Sequence, residues 1–525
     1  MKKSDYGILF VVALAFFGLI ATLQQVPGYM DAEYYFGQSA RITVHHDLIE
    51  PFVWNYLNNP TSVTVPGFAF WLPMTSFAAA VGLWISGSTS FYAAKILFVL
   101  MAALITLMAA FFANQFLPGR RAGWLAGLLA MFSGFYLPFI TITDTFTPYM
   151  FFGGLFFIGI WFAENRSKAS DKPDYWFLLV GICAGALSLT RSDGILWLMG
   201  GVLSVFLIKK KRLTNTLINS ALVLIGFMIV MLPWYLHNLR IYDALYPSGN
   251  GLMLWLTKYD DLFVYPSSSI TFSRWMESGV GNILMDRLKA LGSNLQTLVA
   301  SGGAIILTPI MMIGAWKTRK STLTRLALVM LAGIFAVMTV IFPYAGERGG
   351  FFHSLSAVQI VLWSVVPVGL DAIIQFGVKR RNWKTDRSWK MFGTAIVISA
   401  AILSTVLLFE KLAKGSESGI PWNETQTAFK TIEQEIQNKT DDRLGVIMVN
   451  DPPGFTLATG RPSVMIPSGS AEALIDVSKR YDVQYLVVNG ERTEVFNALN
   501  QNQALSKHFK FMFETAGNNV YEFKP

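Results

Sequence analysis

Cysteine is almost absent from this chain, whose 525 residues include only Cys183. A single cysteine excludes an intramolecular disulfide and a metal centre built from several cysteines. Charged residues are also scarce, at 14% of the chain, against roughly 25% in an average soluble protein. Hydrophobic residues make up 53% and include 41 phenylalanines. A soluble domain does not need so much apolar surface, so the composition indicates a polytopic membrane protein.

The net charge of +9 would suggest nucleic-acid binding in a soluble protein. Here much of the excess lies in short loops between apolar segments, where it sets membrane topology, so no nucleic-acid partner is predicted. The N-terminus, Met1-Lys2-Lys3 before a long apolar run, resembles a signal sequence. Because it lacks a small-residue cleavage site, we interpret it as an uncleaved signal anchor with a cytoplasmic N-terminus.

Eleven apolar segments are long enough to predict membrane crossings. They are approximately residues 6–22, 91–116, 123–141, 146–162, 176–189, 195–208, 213–236, 299–316, 323–342, 352–376 and 391–412. Residues 66–85 are also apolar, but counting them as a crossing reverses every later loop. Without them, the basic loops fall on the side of Lys2 and Lys3, as the positive-inside rule requires. We therefore expect residues 66–85 to form a re-entrant or interfacial helix, or part of a pair that restores the same parity.

The composition changes near Gly415. Beyond it, short β runs alternate with helical patterns, which is typical of a small α/β domain. The β runs cover 446–449, 485–488 and 520–523, and the helical patterns cover 424–438, 471–480 and 491–505. The predicted fold class is mainly α: residues 1–414 form a transmembrane helical bundle in the cell membrane, and residues 415–525 form an extracytoplasmic α/β domain.

Acidic and basic residues recur at the ends of the apolar segments, on the face that this topology makes the outer one. Two acids, Asp31 and Glu33, follow the first segment in a stretch rich in tyrosine. The other candidates are Asp144, Arg191, His237, Arg240, Arg348 and His353. In one cavity, a carboxylate would take a proton from an acceptor hydroxyl, and Arg or His would neutralise a leaving phosphate. The set therefore predicts group transfer from a lipid phosphate.

Several of these candidates also have a purely structural interpretation. Asp144 can cap the helix that follows it. Arg191 can simply pair with Asp193. His237 and Arg240 can anchor the end of a span together with neighbouring aromatic residues. These alternatives do not exclude a role in the site.

Arg348 lies in a glycine-rich turn, residues 346–350, between two apolar segments. The glycines leave the backbone free to approach a ligand. Glu347 can instead neutralise the guanidinium. The turn nonetheless favours Arg348 as a ligand-binding residue.

The chain resembles the C superfamily of integral-membrane glycosyltransferases, which includes protein O-mannosyltransferases and lipid A aminoarabinose transferases. The resemblance covers about residues 1–412 and depends on the order and outer placement of five short motifs. The motifs are the acidic Asp31-Ala32-Glu33-Tyr34-Tyr35, the acidic Ile142-Thr143-Asp144-Thr145, the arginine junction 189–194, the proline-tryptophan element 233–240 and the late arginine segment 348–367.

The resemblance implies transfer of a sugar, with inversion, from a polyprenyl-phosphate-linked donor to a glycan, lipid or protein acceptor on the outer face. Asp31 would be the general base, and Glu33 and Asp144 would position the acceptor or sugar. Arg348, with Arg240 or Arg191, would bind the donor phosphate. The acids permit a divalent metal without demanding one, and we expect none.

Two other functions fit the same residues. A transporter or flippase for an anionic lipid-linked substrate would use the outer charges as a gate, but it should also carry charges within its spans. A non-catalytic scaffold would use the C-terminal domain to bind a partner, and it would tolerate loss of the outer acids.

Overall fold

The computed structural model describes residues 1–169, 172–208, 212–415, 420–440, 445–489, 499 and 503–525. Within them, the chain forms a helical bundle with two small sheets. The helices are α1 (Lys3–Leu23), α2 (Met30–Val44), α3 (Met74–Ser86), α4 (Phe91–Ala94), α5 (Ile96–Phe116), α6 (Arg120–Met131), α7 (Leu137–Ile140), α8 (Phe146–Ala169), α9 (Trp176–Thr190), α10 (Ile195–Leu207), α11 (Leu213–Tyr242), α12 (Phe272–Glu277), α13 (Val280–Thr297), α14 (Thr308–Thr318), α15 (Thr322–Ala336), α16 (Pro343–Ala345), α17 (Phe351–Arg381), α18 (Thr385–Lys414), α19 (Thr425–Thr440), α20 (Pro452–Thr459), α21 (Ala471–Arg480) and α22 (Gln503–His508).

Seven helices in the described part of the chain are long and apolar enough to cross a membrane, which makes this a multi-pass membrane protein. They are Lys3–Leu23, Phe91–Phe116, Phe146–Lys168, Leu213–Tyr242, Thr322–Ile341, Pro343–Arg381 and Thr385–Lys414. The number becomes eight if the pair Arg120–Met131 and Gly134–Ile140, bent by 42°, forms one span.

The predicted number of eleven spans is not confirmed, because several apolar segments form short helices. Trp176–Thr190 and Ile195–Leu207 have 15 and 13 residues, whereas about 20 residues span a bilayer without thinning it. Segment 299–316 is divided between the π-helical turn Leu298–Gly302 and the 11-residue α14. Within segment 66–85, the structure gives the 13-residue α3, which is about 20 Å long at ~1.5 Å per residue.

The larger sheet has six strands in the order β2-β5-β4-β6-β8-β7. The strands of the chain are β1 (Ile49–Glu50), β2 (Phe52–Val53), β3 (Val65–Pro66), β4 (Val446–Val449), β5 (Ser463–Met465), β6 (Val483–Asn489), β7 (Phe509–Thr515) and β8 (Asn518–Phe523). The first four strands of the sheet are parallel, and β8 and β7 are antiparallel to their neighbours. The loop after α2 therefore supplies an edge strand to the C-terminal sheet.

Three predicted β runs lie within β4, β6 and β8, and two predicted helices correspond to α19 and α21. Most of the third predicted helix, 491–505, lies outside the described residues. β1 and β3 pair with each other in a separate two-stranded sheet. The division into domains at residue 415 stays a prediction, and the sheet includes residues from both sides of it.

Two glycines bring helices into close contact and thereby fix the ends that carry the candidate residues. A Cβ on Gly153 in α8 would lie 2.3 Å from the carbonyl oxygen of Ala357 in α17. A Cβ on Gly181 in α9 would lie 2.0 Å from the carbonyl oxygen of Val223 in α11. Small residues allow such close helix packing within membranes. The start of α8 is thus held next to the start of α17.

Candidate active site

Three of the predicted residues converge at the helix ends near the C-terminal sheet. Asp31 lies in the first turn of α2, Asp144 lies two residues before the start of α8, and His353 lies in the first turn of α17. Each offers one ligand atom, and these atoms all lie within 4.8 Å of one another. We call these three residues the acid–histidine cluster.

Asp144 is fully buried and receives hydrogen bonds on both oxygens. The Tyr29 hydroxyl donates to one oxygen, and the Thr145 backbone N–H and hydroxyl donate to the other. Burial raises the pKa of Asp144 to about 7, although the Thr145 bonds and the positive charge of Arg191 oppose the shift. Asp144 therefore changes protonation near neutral pH.

His353 is held in place by its neighbours on α8. Its ring stacks on Phe146, with 3.9 Å between ring centroids. Nδ1 lies 2.8 Å from the Thr145 hydroxyl oxygen and 3.8 Å from a carboxylate oxygen of Asp144. These contacts direct the imidazole toward the buried acid.

Arg191 supplies the positive charge beside the acid–histidine cluster. Its Nε donates to Asp193 at 2.9 Å. Its Nη2 donates to the Gly350 carbonyl oxygen at 3.3 Å and to the Ser354 hydroxyl at 3.4 Å. The ion pair with Asp193 that the sequence allowed is therefore present, and the guanidinium also reaches the residues on either side of His353 in the chain.

The Arg191–Asp193 pair is supported by a further layer of buried residues. The hydroxyl of Tyr149 in α8 donates to Asp193 at 3.2 Å and accepts from the Trp197 indole N–H at 3.0 Å. The Arg191 guanidinium also lies 5.9 Å from the centre of the Tyr149 ring. These contacts restrict the arginine to one orientation.

Glu33 does not join the cluster. Its side chain is fully buried, and its carboxyl group lies beside that of Asp451 in the C-terminal segment. A Cβ on Gly454 would lie 2.4 Å from Oε2 of Glu33 and 2.8 Å from Oδ2 of Asp451. Burial and then the negative charge of Asp451 raise the pKa of Glu33 well above its usual value.

Among the described residues, the remaining predicted ones make no hydrogen bond, ion pair or ring contact with the cluster. They are His237, Arg240 and Arg348. The ring of His237 stacks on Trp234, with 4.7 Å between centroids. Arg240, one helical turn later in α11, is exposed. Arg348 is exposed in the π-helical turn Gly346–Gly350, with its guanidinium 5.0 Å from the centre of the Tyr259 ring.

Two site residues were missed by sequence analysis. Tyr29 and Thr145 each hydrogen-bond Asp144. Thr145 is the last residue of the predicted motif 142–145, and Tyr29 lies two residues before Asp31. Proximity in sequence to the predicted acids was the available signal. An uncharged hydroxyl has no distinctive pattern of its own, so neither residue could be separated from the tyrosines and threonines around it.

The acid–histidine cluster has a donor set that fits a divalent cation. Two carboxylates and an imidazole are oxygen and nitrogen ligands suited to Mn²⁺ or Zn²⁺. Ligand atoms that each lie about 2.0–2.2 Å from one ion are at most about 4.4 Å apart, and small side-chain rotations bring atoms that are within 4.8 Å of one another to that spacing.

No protein-family model and no curated protein matches the chain. Solved structures do match it. The apo oligosaccharyltransferase of Archaeoglobus fulgidus has a TM-score of 0.58 at 13% identity, over 100% of this chain and 75% of that one. ArnT from Cupriavidus metallidurans bound to undecaprenyl phosphate has a TM-score of 0.57 at 13% identity, over 99% and 98%. The arabinofuranosyltransferase AftD from Mycobacteria has a TM-score of 0.50 at 12% identity, over 99% and 42%.

These three proteins are membrane glycosyltransferases of the C superfamily. The chain therefore has the fold of that superfamily. The resemblance predicted from the sequence is confirmed at the level of the fold.

Proposed function

We propose that this protein transfers a sugar from a polyprenyl-phosphate-linked donor to a glycan, lipid or protein acceptor on the extracytoplasmic face of the cell membrane. The observation that carries the proposal is the convergence of Asp31, Asp144 and His353 beside Arg191 within this fold. The donor class is supported by two structural neighbours, which contain dolichol-phosphate and undecaprenyl phosphate.

In the proposed reaction, the acceptor oxygen forms a bond to the anomeric carbon while the bond from that carbon to the phosphate oxygen breaks. The electron pair leaves with the lipid phosphate, and the acceptor proton passes to a carboxylate. Attack opposite the leaving group inverts the anomeric centre. Asp31 suits the role of base because it is only half-buried, so that a substrate can reach it. Asp144 suits a positioning role because donors already occupy both of its oxygens.

The leaving phosphate needs a cation in a poorly hydrated place, and Arg191 is the arginine beside the cluster. Arg348 and Arg240 are exposed, and we assign them to attracting and orienting the donor headgroup, with His237 beside Arg240. Glu33 acts indirectly, by holding α2 against the C-terminal segment. A cation held by the acid–histidine cluster would supply further positive charge next to the phosphate.

The test uses the purified full-length protein in lipid nanodiscs with radiolabelled sugars on polyprenyl phosphates. We expect the unmutated protein to transfer label to an acceptor, and Asp31→Asn to lower the rate by about 10²–10⁴-fold, as loss of a general base does. Asp476→Asn is the matched control, because Asp476 is exposed in α21. Equal rates in Asp31→Asn and unmutated protein would remove Asp31 as the base. Absence of transfer with every donor would contradict the proposed function.

A further inference from the structure

A second cavity, separate from the acid–histidine cluster, lies in the loop that follows α2. Its volume is about 240 Å³, and its lining comes from residues 50–71 together with Tyr242 at the end of α11. One or two ordered waters need much less space. The volume approaches the roughly 300–1,000 Å³ of small-molecule sites. The cavity is therefore large enough for one small organic ring.

One wall of the cavity is aromatic. The rings of Trp54 and Trp71 lie 4.3 Å apart, and those of Trp54 and Phe70 lie 4.6 Å apart. Trp71 and Phe70 are only half-buried although both line the cavity. Such rings offer rigid apolar faces at low cost in conformational entropy, and the C–H faces of a sugar ring pack on faces of this kind.

The lining also offers two side-chain amides whose orientation is fixed by hydrogen bonds. The side-chain oxygen of Asn55 accepts from the Leu57 backbone N–H at 3.1 Å. The side-chain oxygen of Asn58 accepts from the Gly249 backbone N–H at 2.7 Å. Each amide therefore presents its NH₂ group as the remaining donor, and none of the described residues accepts a hydrogen bond from either NH₂.

Glu50 supplies an acceptor in the lining of the cavity. The residue is 8% exposed, and its Oε1 accepts both from the Tyr34 hydroxyl at 2.5 Å and from the Phe68 backbone N–H at 2.7 Å. Both hydrogen bonds that Glu50 makes with described residues end on Oε1, so Oε2 is left for a ligand. The carboxyl group of Glu50 and the two amide groups can hydrogen-bond the hydroxyls of a sugar, and the aromatic faces can pack on its C–H groups.

The charges of the lining select against an anionic ligand. Among the lining residues, Glu50 is the only one with an acidic or basic side chain, apart from the phenol of Tyr242. A phosphate or a uronic acid would meet no basic side chain in the lining to neutralise its charge, and it would lie near the carboxyl group of Glu50. The site therefore fits a neutral sugar.

The lining of the cavity contacts α2, which carries Asp31, and also contacts the C-terminal segment. Tyr34, which binds Glu50, lies three residues after Asp31 in α2, about 4.5 Å further along the axis at ~1.5 Å per residue. The carbonyl oxygen of Pro60 in the lining accepts from the Arg480 guanidinium at 2.8 Å and the Tyr481 hydroxyl at 2.7 Å. The C-terminal segment thus holds one wall of the cavity in place.

We propose that this cavity binds a neutral sugar unit of a glycan acceptor. That this sugar belongs to an acceptor rests on the proposed function. Thr61, Ser62 and Thr64 line the cavity and are exposed, so a longer glycan can continue into solvent on that side. Of the three acceptor classes left open, the structure assigns the glycan.

The test is direct sugar binding to the full-length protein in nanodiscs, measured by saturation-transfer difference NMR and tryptophan fluorescence. The probes are the methyl glycosides of glucose, galactose, mannose, N-acetylglucosamine and glucuronic acid. Asn55→Asp and Asn58→Asp each keep the oxygen that accepts a backbone N–H and lose the NH₂ donor. Asn282→Asp, at an exposed asparagine of α13, is the matched control.

We expect at least one neutral glycoside to bind, with a Kd at least tenfold higher in Asn55→Asp and Asn58→Asp and unchanged in Asn282→Asp. Asp31→Asn should bind the same glycoside normally while transfer is lost. Circular dichroism and size-exclusion profiles that match the unmutated protein show that the variants are folded.

Binding of none of the neutral glycosides, preference for the glucuronide, or unchanged Kd in both variants would overturn the inference. If transfer to an acceptor is observed alongside any of these results, the proposed function stands without it. If sugars bind as expected but no donor supports transfer, the proposed function fails and the cavity is not an acceptor site.

Discussion

The carboxyl group of Glu33 in α2 lies beside the carboxyl group of Asp451, which caps α20 near the other end of the chain. The Asp451 side chain also accepts from the Gly454 backbone N–H at 2.9 Å. Two carboxylates in contact within a buried place cannot both be ionised without strong repulsion, so the pair retains a proton. The contact between the first loop and the C-terminal segment therefore depends on protonation.

This pair makes the free energy of unfolding depend on pH. In the unfolded chain Glu33 loses its proton near pH 4.5, whereas its pKa in the folded protein is well above that value, because of burial and then Asp451. Between the two pKa values the folded state holds a proton that the unfolded state lacks, so stability falls as pH rises through this window. Glutamine cannot ionise, so Glu33→Gln should fall less steeply.

The measurement is denaturant unfolding of the detergent-solubilised protein between pH 4.5 and 8, followed by tryptophan fluorescence. Asp144 and Glu50, whose pKa values burial raises to about 7, contribute a slope of the same sign in both proteins, so the difference between the slopes reports Glu33. Glu277→Gln, at an exposed site, should leave the slope unchanged. Identical slopes in Glu33→Gln and unmutated protein would contradict the assignment.

Tyr29 is expected to set the acid limb of the pH–rate profile. Its hydroxyl donates to Asp144, whose pKa burial raises to about 7, and a donated hydrogen bond favours the ionised carboxylate. If ionised Asp144 is needed for transfer, Tyr29→Phe should move the rise in kcat/KM to higher pH. We expect about a tenfold loss at pH 6.5 and little loss at pH 8.5.

The control is Tyr235→Phe, which removes a hydroxyl that pairs with Tyr246 at 2.9 Å. Tyr235→Phe should leave the pH dependence of kcat/KM unchanged. A uniform loss of rate at all pH values in Tyr29→Phe would show that the tyrosine acts by another route than the protonation of Asp144.

The positions of Asp31 and Glu33 show what the sequence could and could not predict. Two acids two residues apart appear as one motif, and both were expected in the site. In a helix, however, successive side chains are rotated by about 100°, so positions i and i+2 lie on different faces. Because α2 begins at Met30, Asp31 meets the cluster and Glu33 meets Asp451.

The pairing partners of the loop after α2 could not be predicted from the sequence either, because they are distant in the chain. β2 has two residues and pairs with β5, more than 400 residues later, and no local pattern marks such a pairing. The helix patterns and the mixed C-terminal segment were predictable because hydrophobic periodicity is local. The break between segments 176–189 and 195–208 was predicted, whereas the interruption within segment 299–316 was not, because apolar composition continues through that break in the helix.

Arg191 should matter more for transfer than Arg348. The guanidinium of Arg191 makes separate bonds from Nε and Nη2, a forked geometry that the single ammonium of lysine cannot reproduce. Arg191→Lys is expected to lower kcat/KM by about 10²-fold. Arg348 is exposed, so Arg348→Lys should raise KM for the donor by only a few fold. Kinetics at varied donor concentration measure both, and the reverse ranking would assign the phosphate to Arg348.

Removal of divalent metal tests the acid–histidine cluster directly. From the sequence we expect no metal, whereas the cluster brings three suitable ligands together. We expect EDTA-treated protein to lose transfer, and Mn²⁺ to restore it. Electron paramagnetic resonance should show Mn²⁺ bound to the unmutated protein and not to His353→Ala. Full activity after chelation, with no bound Mn²⁺, would support the metal-free site instead.

Gly28 packs against Trp422 of the C-terminal segment, next to Tyr29, which binds Asp144 of the cluster. Gly28→Ala should therefore disturb both the C-terminal segment and the cluster. Gly28 has φ +85, where a side chain costs about 1–2 kcal/mol, and its Cβ would lie 2.1 Å from the Trp422 ring. Trp422 is fully buried, donates to the Val26 carbonyl oxygen at 2.9 Å and packs edge-on against Tyr29. A displaced Trp422 therefore also displaces the hydroxyl that binds Asp144. We expect Gly28→Ala to lower Tm by several degrees and to reduce transfer.

The matched control is Gly18→Ala in α1, because a Cβ on Gly18 meets no atom within 4 Å in the described structure. Alanine also favours a helix over glycine by about 1 kcal/mol, so this variant should be neutral or slightly more stable. Trp422→Leu lowers Tm by itself, because it removes a buried ring and its hydrogen bond. In that background the clash is absent and only the strain of the positive φ remains, so Gly28→Ala should lower Tm by less than it does in the unmutated protein. If Gly28→Ala and Gly18→Ala had the same Tm, the junction between α1 and α2 would not depend on the contact with Trp422.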